Sequence, residues 1–133
     1  MSKEVAYINN YIAIYILKDN SIKDNIKFEY DTPEDVDIAP MLLIPFVENA
    51  FKHGNIEDAT KGRISIDLKV EAGLLTFRCQ NSLSANKKSK DKEGGIGIAN
   101  VKRRLELIYP GRHELKTQET AEGFTVEMKI LIS

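Results

Sequence analysis

The residue types best suited to chemistry lie together in one short stretch, from Glu48 to Gly54. A carboxylate, an amide, an ammonium group and an imidazole follow one another there, on the side of a predicted helix opposite its apolar stripe. The carboxylate and amide oxygens suit magnesium, which commonly binds through one or two protein oxygens while substrate phosphates supply others. Asn49 is therefore a candidate magnesium ligand. By itself, the stretch is also compatible with an ordinary solvated helix face.

A second candidate element is the glycine cluster in the stretch from Glu93 to Ile98. Glycines directly before a helix let the backbone approach a phosphate, and the free amides and dipole of the helix N-terminus attract anions. Gly95 and Gly97 are thus candidates for a phosphate cradle. Glycines at this spacing are also typical of a flexible loop that enters a helix.

A third candidate is Asn81, at the end of a predicted strand. Counting with a period of two places Leu75, Phe77, Cys79 and Asn81 on the inward face of this strand. A buried amide must find hydrogen-bond partners, and a base bound in a pocket could supply them. The alternative is a turn-forming asparagine in the pair Asn81-Ser82.

Two predicted helices position the first two candidates. The helix from Met41 to His53 has an apolar stripe, with a kink expected at Pro45, near its start. The other helix begins at the glycine cluster and ends at Pro110-Gly111. The members of the two stripes are Leu43, Val47, Ala50 and Gly54 in the former helix, and Ile98, Val101, Leu105 and Ile108 in the latter.

Alternating apolar residues predict five strands. The strands at 63–70 and 74–81 are joined at Ala72-Gly73, which predicts a tight hairpin. Further strands are expected at 26–30, 114–118 and 124–132, the last with Phe124, Val126, Met128, Ile130 and Ile132 on one face. The pattern predicts an α+β fold, a two-layer sandwich with helices packed on one face of a mostly antiparallel mixed sheet.

A further helix is predicted at the N-terminus, from Lys3 to Leu17. Val5, Ile8, Ile12 and Ile16 recur at helical spacing, and Tyr7, Tyr11 and Ile14 place additional apolar groups on its other faces. A helix that is apolar on several faces predicts a second packing partner.

Composition narrows the possible functions. The 133 residues fit one domain, and 42% hydrophobic and 29% charged residues are typical of globular proteins. A net charge of -1 provides no basic field for a nucleic-acid backbone, so no nucleic-acid partner is expected. The single cysteine, Cys79, excludes an internal disulfide and fits a reducing cytosol. No apolar run reaches the roughly 20 residues that cross a bilayer, so the chain is expected to be soluble.

The charged stretch 84–93 is expected to be a mobile loop.

Two long stretches carry a resemblance to a known family. Pro40 to Gly54, reading PMLLIPFVENAFKHG, closely resembles the N box of the LytS-like bacterial sensor histidine kinases. Gly95 to Tyr109, reading GIGIANVKRRLELIY, is similar to the second glycine box and following helix of that group. With Asn81 between them, the elements look like the ATP-binding half of the GHKL superfamily. The resemblance implies a Bergerat α/β sandwich, or HATPase fold.

The resemblance implies a role for each site residue, with ATP and Mg²⁺ as ligands. Asn49 would hold the metal, and Glu48 would orient or help deprotonate the attacking group. The remaining nucleotide-binding positions implied by the resemblance are Lys52 and His53 near the phosphates, Gly95 and Gly97 where the lid approaches the triphosphate, Asn100 in the first turn of the following helix, and Asn81 at the adenine.

Two departures from the family pattern affect the adenine site. Asn81-Ser82-Leu83 replaces the expected Asp-x-Gly, so a neutral amide stands where an aspartate usually accepts from the adenine amino group. Charged acceptors make hydrogen bonds roughly twice as strong as neutral ones. Gly123-Phe124-Thr125 replaces the usual glycine-threonine pair before the last strand, and Thr125 is expected to fill the role of that threonine.

The resemblance also implies partners that lie outside this chain. Neither His53 nor His113 is in a segment that resembles the phosphoacceptor helix. We therefore expect residues 1–20 to be a linker helix to a phosphoacceptor domain, and residues 21–133 to be the catalytic domain of a fragment. The implied partners are that helical domain and a response regulator, with a dimer only in the full-length kinase. The implied location is the cytoplasmic part of a membrane-anchored kinase.

Three functional hypotheses follow from the sequence. The leading one is a protein-histidine kinase domain that transfers the γ-phosphoryl group of ATP to a histidine elsewhere. The second is a degenerate GHKL domain that acts as a docking or dimerisation module without effective ATP binding. The third is an anti-sigma-factor type kinase that phosphorylates a serine on a partner, and the LytS-like N box argues against it.

Overall fold

The computed structural model describes residues 2–33, 36–53, 62–82, 95–121 and 123–132. Along these residues the chain forms, in order, α1 (Ser2–Lys18), a 3₁₀ helix (Asn20–Asn25), β1 (Ile26–Asp31), α2 (Ile44–His53), β2 (Ile64–Glu71), β3 (Leu74–Ser82), α3 (Gly95–Ile108), β4 (His113–Glu119) and β5 (Gly123–Leu131). The predicted α+β class and the predicted helices and strands are confirmed, and the 3₁₀ helix is an addition.

The strands form one five-stranded sheet in the order β1-β2-β3-β5-β4. β1 and β2 are parallel, and the chain between them includes α2. The three other pairings are antiparallel, which confirms a mixed sheet dominated by antiparallel contacts. The turn between β2 and β3 has positive φ at both central residues, 53° at Ala72 and 79° at Gly73. These are the angles that a tight hairpin favours because their twist matches that of the strands.

The two faces of the sheet differ in polarity because each strand alternates. On the helix side, Leu75, Phe77 and Cys79 of β3 are buried. On the other side, the register places Asp67, Arg78, Glu127 and Lys116 in one row across four strands. Opposite charges on neighbouring strands are favourable pairs on a solvated sheet face. The described helices and the core therefore lie on one side of the sheet.

The start of α2 differs from the sequence prediction. The helix begins at Ile44 and not at Met41, whose backbone is left-handed with φ of 64°. Pro45 consequently lies in the first turn, where a proline removes no intrahelical hydrogen bond, and it is not the site of a kink inside a longer helix.

The N-terminal helix packs into the same core as the rest of the chain. Val5, Ile8 and Ile12 are buried there, as predicted, whereas Leu17 is 88% exposed. In α3, Val101 and Leu105 are buried but Ile108 is 45% exposed, so the predicted apolar stripe ends one turn early. No helix within the described residues is long and apolar enough to span a membrane.

Candidate functional site

Helix α2 presents two distinct faces, which explains how it positions polar side chains. Val47, Ala50 and Phe51 are buried against the sheet and α1. Glu48 and Lys52 are exposed and Asn49 is half-buried. Glu48, Asn49 and Lys52 lie on one side of α2 because they are one to four residues apart, as the sequence predicted.

A cleft of about 330 Å³ opens beside this polar face of α2. Three helices line it, and the lining residues are Tyr11, Tyr15, Pro45, Glu48, Asn49, Lys52 and Gly97. The structure therefore brings together four of the predicted site residues, namely Glu48, Asn49 and Lys52 from α2 and Gly97 from α3. The volume is at the lower end of the range of about 300–1,000 Å³ typical of small-molecule sites.

Gly97 lies in the first turn of α3, where the helix meets the cleft. Among the described residues, a Cβ atom added there would have the Cβ of Pro45 as its one neighbour within 4 Å, at 3.9 Å. Contact with the described residues thus does not require glycine at this position. A residue without a side chain keeps the cleft open next to the helix N-terminus, where free amides favour anions.

The aromatic wall of the cleft comes from α1. Burial raises the pKa of Tyr11, and a hydrogen bond with Tyr15 and the charge of Glu48 raise it further. The Tyr11 hydroxyl is therefore a neutral group at ordinary pH. Sequence reasoning missed these two residues as site candidates, although their spacing of four on a helix with surplus apolar faces was visible.

Asn81 lies on the inward face of β3, as predicted, and is 3% exposed. Its Nδ2 donates to the carbonyl oxygen of Ser82 at 2.9 Å. No described residue donates to its Oδ1. Asn81 does not line the cleft described above. An inward-facing amide oxygen with no donor among the described residues can accept a hydrogen bond from a ligand.

The residue across the sheet from Asn81 is Phe124 and not Thr125. Register pairs Asn81 with Phe124, which is partly buried on the helix side, and pairs Thr125 with Gln80. Alternation therefore places Thr125 on the outer face of the sheet, and the structure does not bring it to the other site residues. A methyl group at Gly123 would overlap the carbonyl oxygen of Asn81, so glycine is needed where β5 begins.

The remaining predicted site residues and the second histidine lie on α2, α3 and β4. Asn100 is exposed on α3 and does not line the cleft. Gly95 begins α3 and His53 ends α2. The predicted mobile loop at 84–93 lies outside the described residues. His113 is on β4 with its Nδ1 2.8 Å from the carbonyl oxygen of Tyr109.

The chemistry of these residues fits a magnesium–nucleotide ligand. The cleft holds a carboxylate, an amide oxygen and an ammonium group, and the inward face of β3 offers an acceptor for a base that has no donor among the described residues. Magnesium needs only one or two protein oxygens. Among the described residues there is no group of three or more His, Cys, Asp or Glu side chains arranged to hold a metal.

No protein-family model and no curated protein matches the chain. Solved structures do match. The catalytic domain of histidine kinase ThkA has a TM-score of 0.60 at 19% identity, covering 90% of this chain and 89% of that one. ThkA in complex with the response regulator protein TrrA has a TM-score of 0.61 at 16% identity, covering 100% of this chain and 40% of that one.

A third match is the histidine kinase domain of the blue-light activated kinase EL346 from Erythrobacter litoralis, with a TM-score of 0.60 at 19% identity. It covers 96% of this chain and 64% of that one. The chain therefore has the fold of the catalytic domain of histidine kinases.

Proposed function

We propose that this chain is the ATP-binding catalytic domain of a LytS-like sensor histidine kinase, and that it transfers the γ-phosphoryl group of ATP to a histidine outside the chain. The observation that carries the proposal is the meeting of Glu48, Asn49, Lys52 and Gly97 in one cleft. It occurs in a chain with the fold of histidine kinase catalytic domains. The resemblance of residues 40–54 to the LytS-like N box supports the proposed assignment to that subfamily.

The proposed roles follow from the chemistry of each side chain. The Asn49 amide oxygen ligates Mg²⁺, which when bound neutralises phosphate charge. The Lys52 ammonium and the amides at the start of α3 attract the phosphates. The Glu48 carboxylate orients the attacking imidazole or accepts its proton. His53, Gly95 and Asn100 are proposed for the phosphate end by resemblance.

Asn81 is proposed to accept a hydrogen bond from the adenine amino group. It is buried, its amide nitrogen donates one hydrogen bond to the Ser82 carbonyl, and its oxygen has no donor among the described residues. A neutral acceptor predicts weaker adenine recognition than an aspartate would give.

In the proposed reaction, an imidazole nitrogen of the acceptor histidine attacks the γ-phosphorus. The new N–P bond forms as the bond to the bridging oxygen breaks, and ADP leaves with the electron pair. Most of the acceleration would come from positioning and from charge neutralisation. The proposed partners are the helical phosphoacceptor domain and a response regulator. ThkA, which shares this fold, has been solved with its response regulator protein TrrA.

Calorimetric titration with ATP, with and without Mg²⁺, tests the proposal. We expect magnesium-dependent binding by the unaltered protein and its loss in Asn49→Ala, because the side chain is on the solvent side of α2 and its removal leaves the fold intact. Asn10→Ala is a matched control, since Asn10 is exposed on α1 and away from the cleft.

Unchanged ATP affinity in a folded Asn49→Ala protein would remove this residue from the site. Absence of ATP binding by the unaltered protein would refute the proposed function and favour the docking-module hypothesis.

A further inference from the structure

The N-terminal helix contributes one wall of the cleft that holds Glu48, Asn49 and Lys52. Tyr11 and Tyr15 of α1 line this cleft directly. They lie one helical turn apart, so both rings point to the same side of the helix. The helix that the sequence assigned to a linker is therefore in contact with the candidate nucleotide site.

Packing holds the two rings in place. The Tyr11 ring lies edge-on to Phe51 of α2, with 5.3 Å between centroids and 81° between planes. The Tyr15 ring is 4.6 Å from that of Phe51 and 5.3 Å from that of Tyr11. Aromatic clusters of this geometry are stabilising, and they fix the direction of the two hydroxyl groups.

The Tyr11 and Tyr15 side chains are neighbours on one side of α1. Two hydroxyl groups carry two donor hydrogens, and a hydrogen bond between them would use only one. No other described residue accepts a hydrogen bond from either hydroxyl. The pair therefore offers a neutral donor inside a cleft whose other polar groups are a carboxylate, an amide and an ammonium group.

We propose that the hydroxyl pair of Tyr11 and Tyr15 contacts the nucleotide, donating a hydrogen bond to the phosphate and metal end of ATP. This inference rests on the proposed function. The phosphate end is indicated because Asn49 and Lys52 line the same cleft, whereas the base acceptor Asn81 does not. The nucleotide site then includes α1, and the affinity for ATP depends on the position of α1 against α2.

Phenylalanine substitutions separate this role from a packing role. Tyr11→Phe, Tyr15→Phe and the double variant keep all three rings and remove only hydroxyls. Titration with ATP and Mg²⁺ should show an affinity reduced roughly 3- to 10-fold in the double variant, as expected for one lost hydrogen bond. Adenosine affinity, measured in parallel, should not change. Tyr7→Phe is the matched control, because Tyr7 is exposed on the same helix.

Tyrosine-selective NMR provides an independent readout. The chain contains five tyrosines, so labelling the ring carbon that bears the hydroxyl gives few signals to assign. Addition of ATP and Mg²⁺ should shift the signals of Tyr11 and Tyr15 and leave those of the exposed Tyr7 and Tyr30 unchanged.

The outcomes are distinguishable. If the unaltered protein binds ATP with Mg²⁺ and the double variant binds equally well, the inference is wrong and the proposed function stands. A parallel loss of adenosine and ATP affinity would reduce the tyrosines to a packing role and also overturn the inference. If the unaltered protein does not bind ATP at all, both fail together.

Discussion

The carboxylate of Glu4 accepts a hydrogen bond from the backbone amide of Met41, with 3.2 Å between Met41 N and Glu4 Oε2. From the other side, the Arg104 guanidinium donates to the carbonyl oxygens of Pro40 at 2.6 Å and Met41 at 3.3 Å. The backbone amide of Ala39 donates to the Tyr109 hydroxyl at 3.0 Å. The turn that precedes α2 is thus held by α1 and by α3 together with the residue that follows it.

Removal of the Glu4 carboxylate should destabilise the protein. Glu4 is 5% exposed, and Glu4→Ala removes the acceptor of the partly buried Met41 amide, which costs about 0.5–1.5 kcal/mol. Glu4→Gln keeps an oxygen acceptor and should lose less. Urea unfolding measures both. Lys3→Ala, at an exposed neighbour, should change the free energy of unfolding by less than about 0.5 kcal/mol. Equal stabilities of Glu4→Ala and the unaltered protein would contradict this account.

Glycine at position 41 should be tolerated or stabilising. A left-handed backbone costs an L-residue about 1–2 kcal/mol, whereas glycine adopts it freely but loses roughly 0.5–1 kcal/mol through its more flexible unfolded chain. Since Met41 is 44% exposed, Met41→Gly should gain up to about 1 kcal/mol. Met41→Ala keeps the Cβ atom and should show no gain. Thermal or urea unfolding compares the two, and a Met41→Gly protein less stable than Met41→Ala would contradict the prediction.

The periodicity of apolar residues predicted most of the helices and strands, because burial of one face imposes a repeating pattern on neighbouring residues. It could not give the strand order or the parallel pairing of β1 with β2, which depend on contacts far apart in sequence. It also could not show that Met41 is left-handed, because methionine carries no signal for that conformation.

In the candidate site too, local patterns predicted some residues, whereas others depended on contacts far apart in sequence. Helical spacing alone grouped Glu48, Asn49 and Lys52, and period-two counting turned Asn81 inward. The same counting placed Phe124 on one face with Val126 and Met128, which leaves Thr125 on the opposite face, yet the resemblance assigned the pocket role to Thr125. For this residue the local pattern agrees with the observed register. Tyr11 and Tyr15 required the packing of α1 on α2, which no local pattern shows.

Gly97→Ala should separate stability from ligand binding. Against the described residues an alanine Cβ would have room, with Pro45 at an ordinary contact distance of 3.9 Å, and alanine is favoured over glycine in helices by up to about 1 kcal/mol. The variant should therefore be as stable as the unaltered protein or more so. Its methyl group would narrow the cleft, so ATP affinity should fall. Thermal unfolding and calorimetry measure the two effects, and a destabilised variant with unchanged affinity would contradict both.

Cys79 should make stability depend on alkaline pH. Burial raises the pKa of its thiol to about 12, from an ordinary value of 9.0. Above pH 9 the unfolded thiol loses its proton while the folded one keeps it. The unfolded state then binds fewer protons, and the free energy of unfolding falls by up to about 1.4 kcal/mol per pH unit. Cys79→Val should lack this slope between pH 9 and 10, in urea unfolding at each pH, and an identical slope in both proteins would contradict the assignment.

Replacement of Asn81 tests whether this residue reads adenine. Asn81→Asp supplies a charged acceptor and should tighten ATP binding by about 1 kcal/mol, roughly fivefold, the usual gap between neutral and charged hydrogen bonds. The same change removes the donor to the Ser82 carbonyl and places two oxygens against each other, so the ligand-free protein should be less stable. Asn81→Leu should weaken ATP binding, because the adenine amino group would be buried without a partner.

Calorimetric titration of the unaltered protein and both Asn81 variants measures these affinities, with unfolding curves to confirm that each is folded. Thr125→Val provides a control near Asn81, since Thr125 is on the next strand but on the outer face of the sheet, and its ATP affinity should be unchanged. Three indistinguishable affinities among the Asn81 proteins would show that Asn81 does not contact the base. A loss of affinity in Thr125→Val would instead return the threonine to the site, against the observed register.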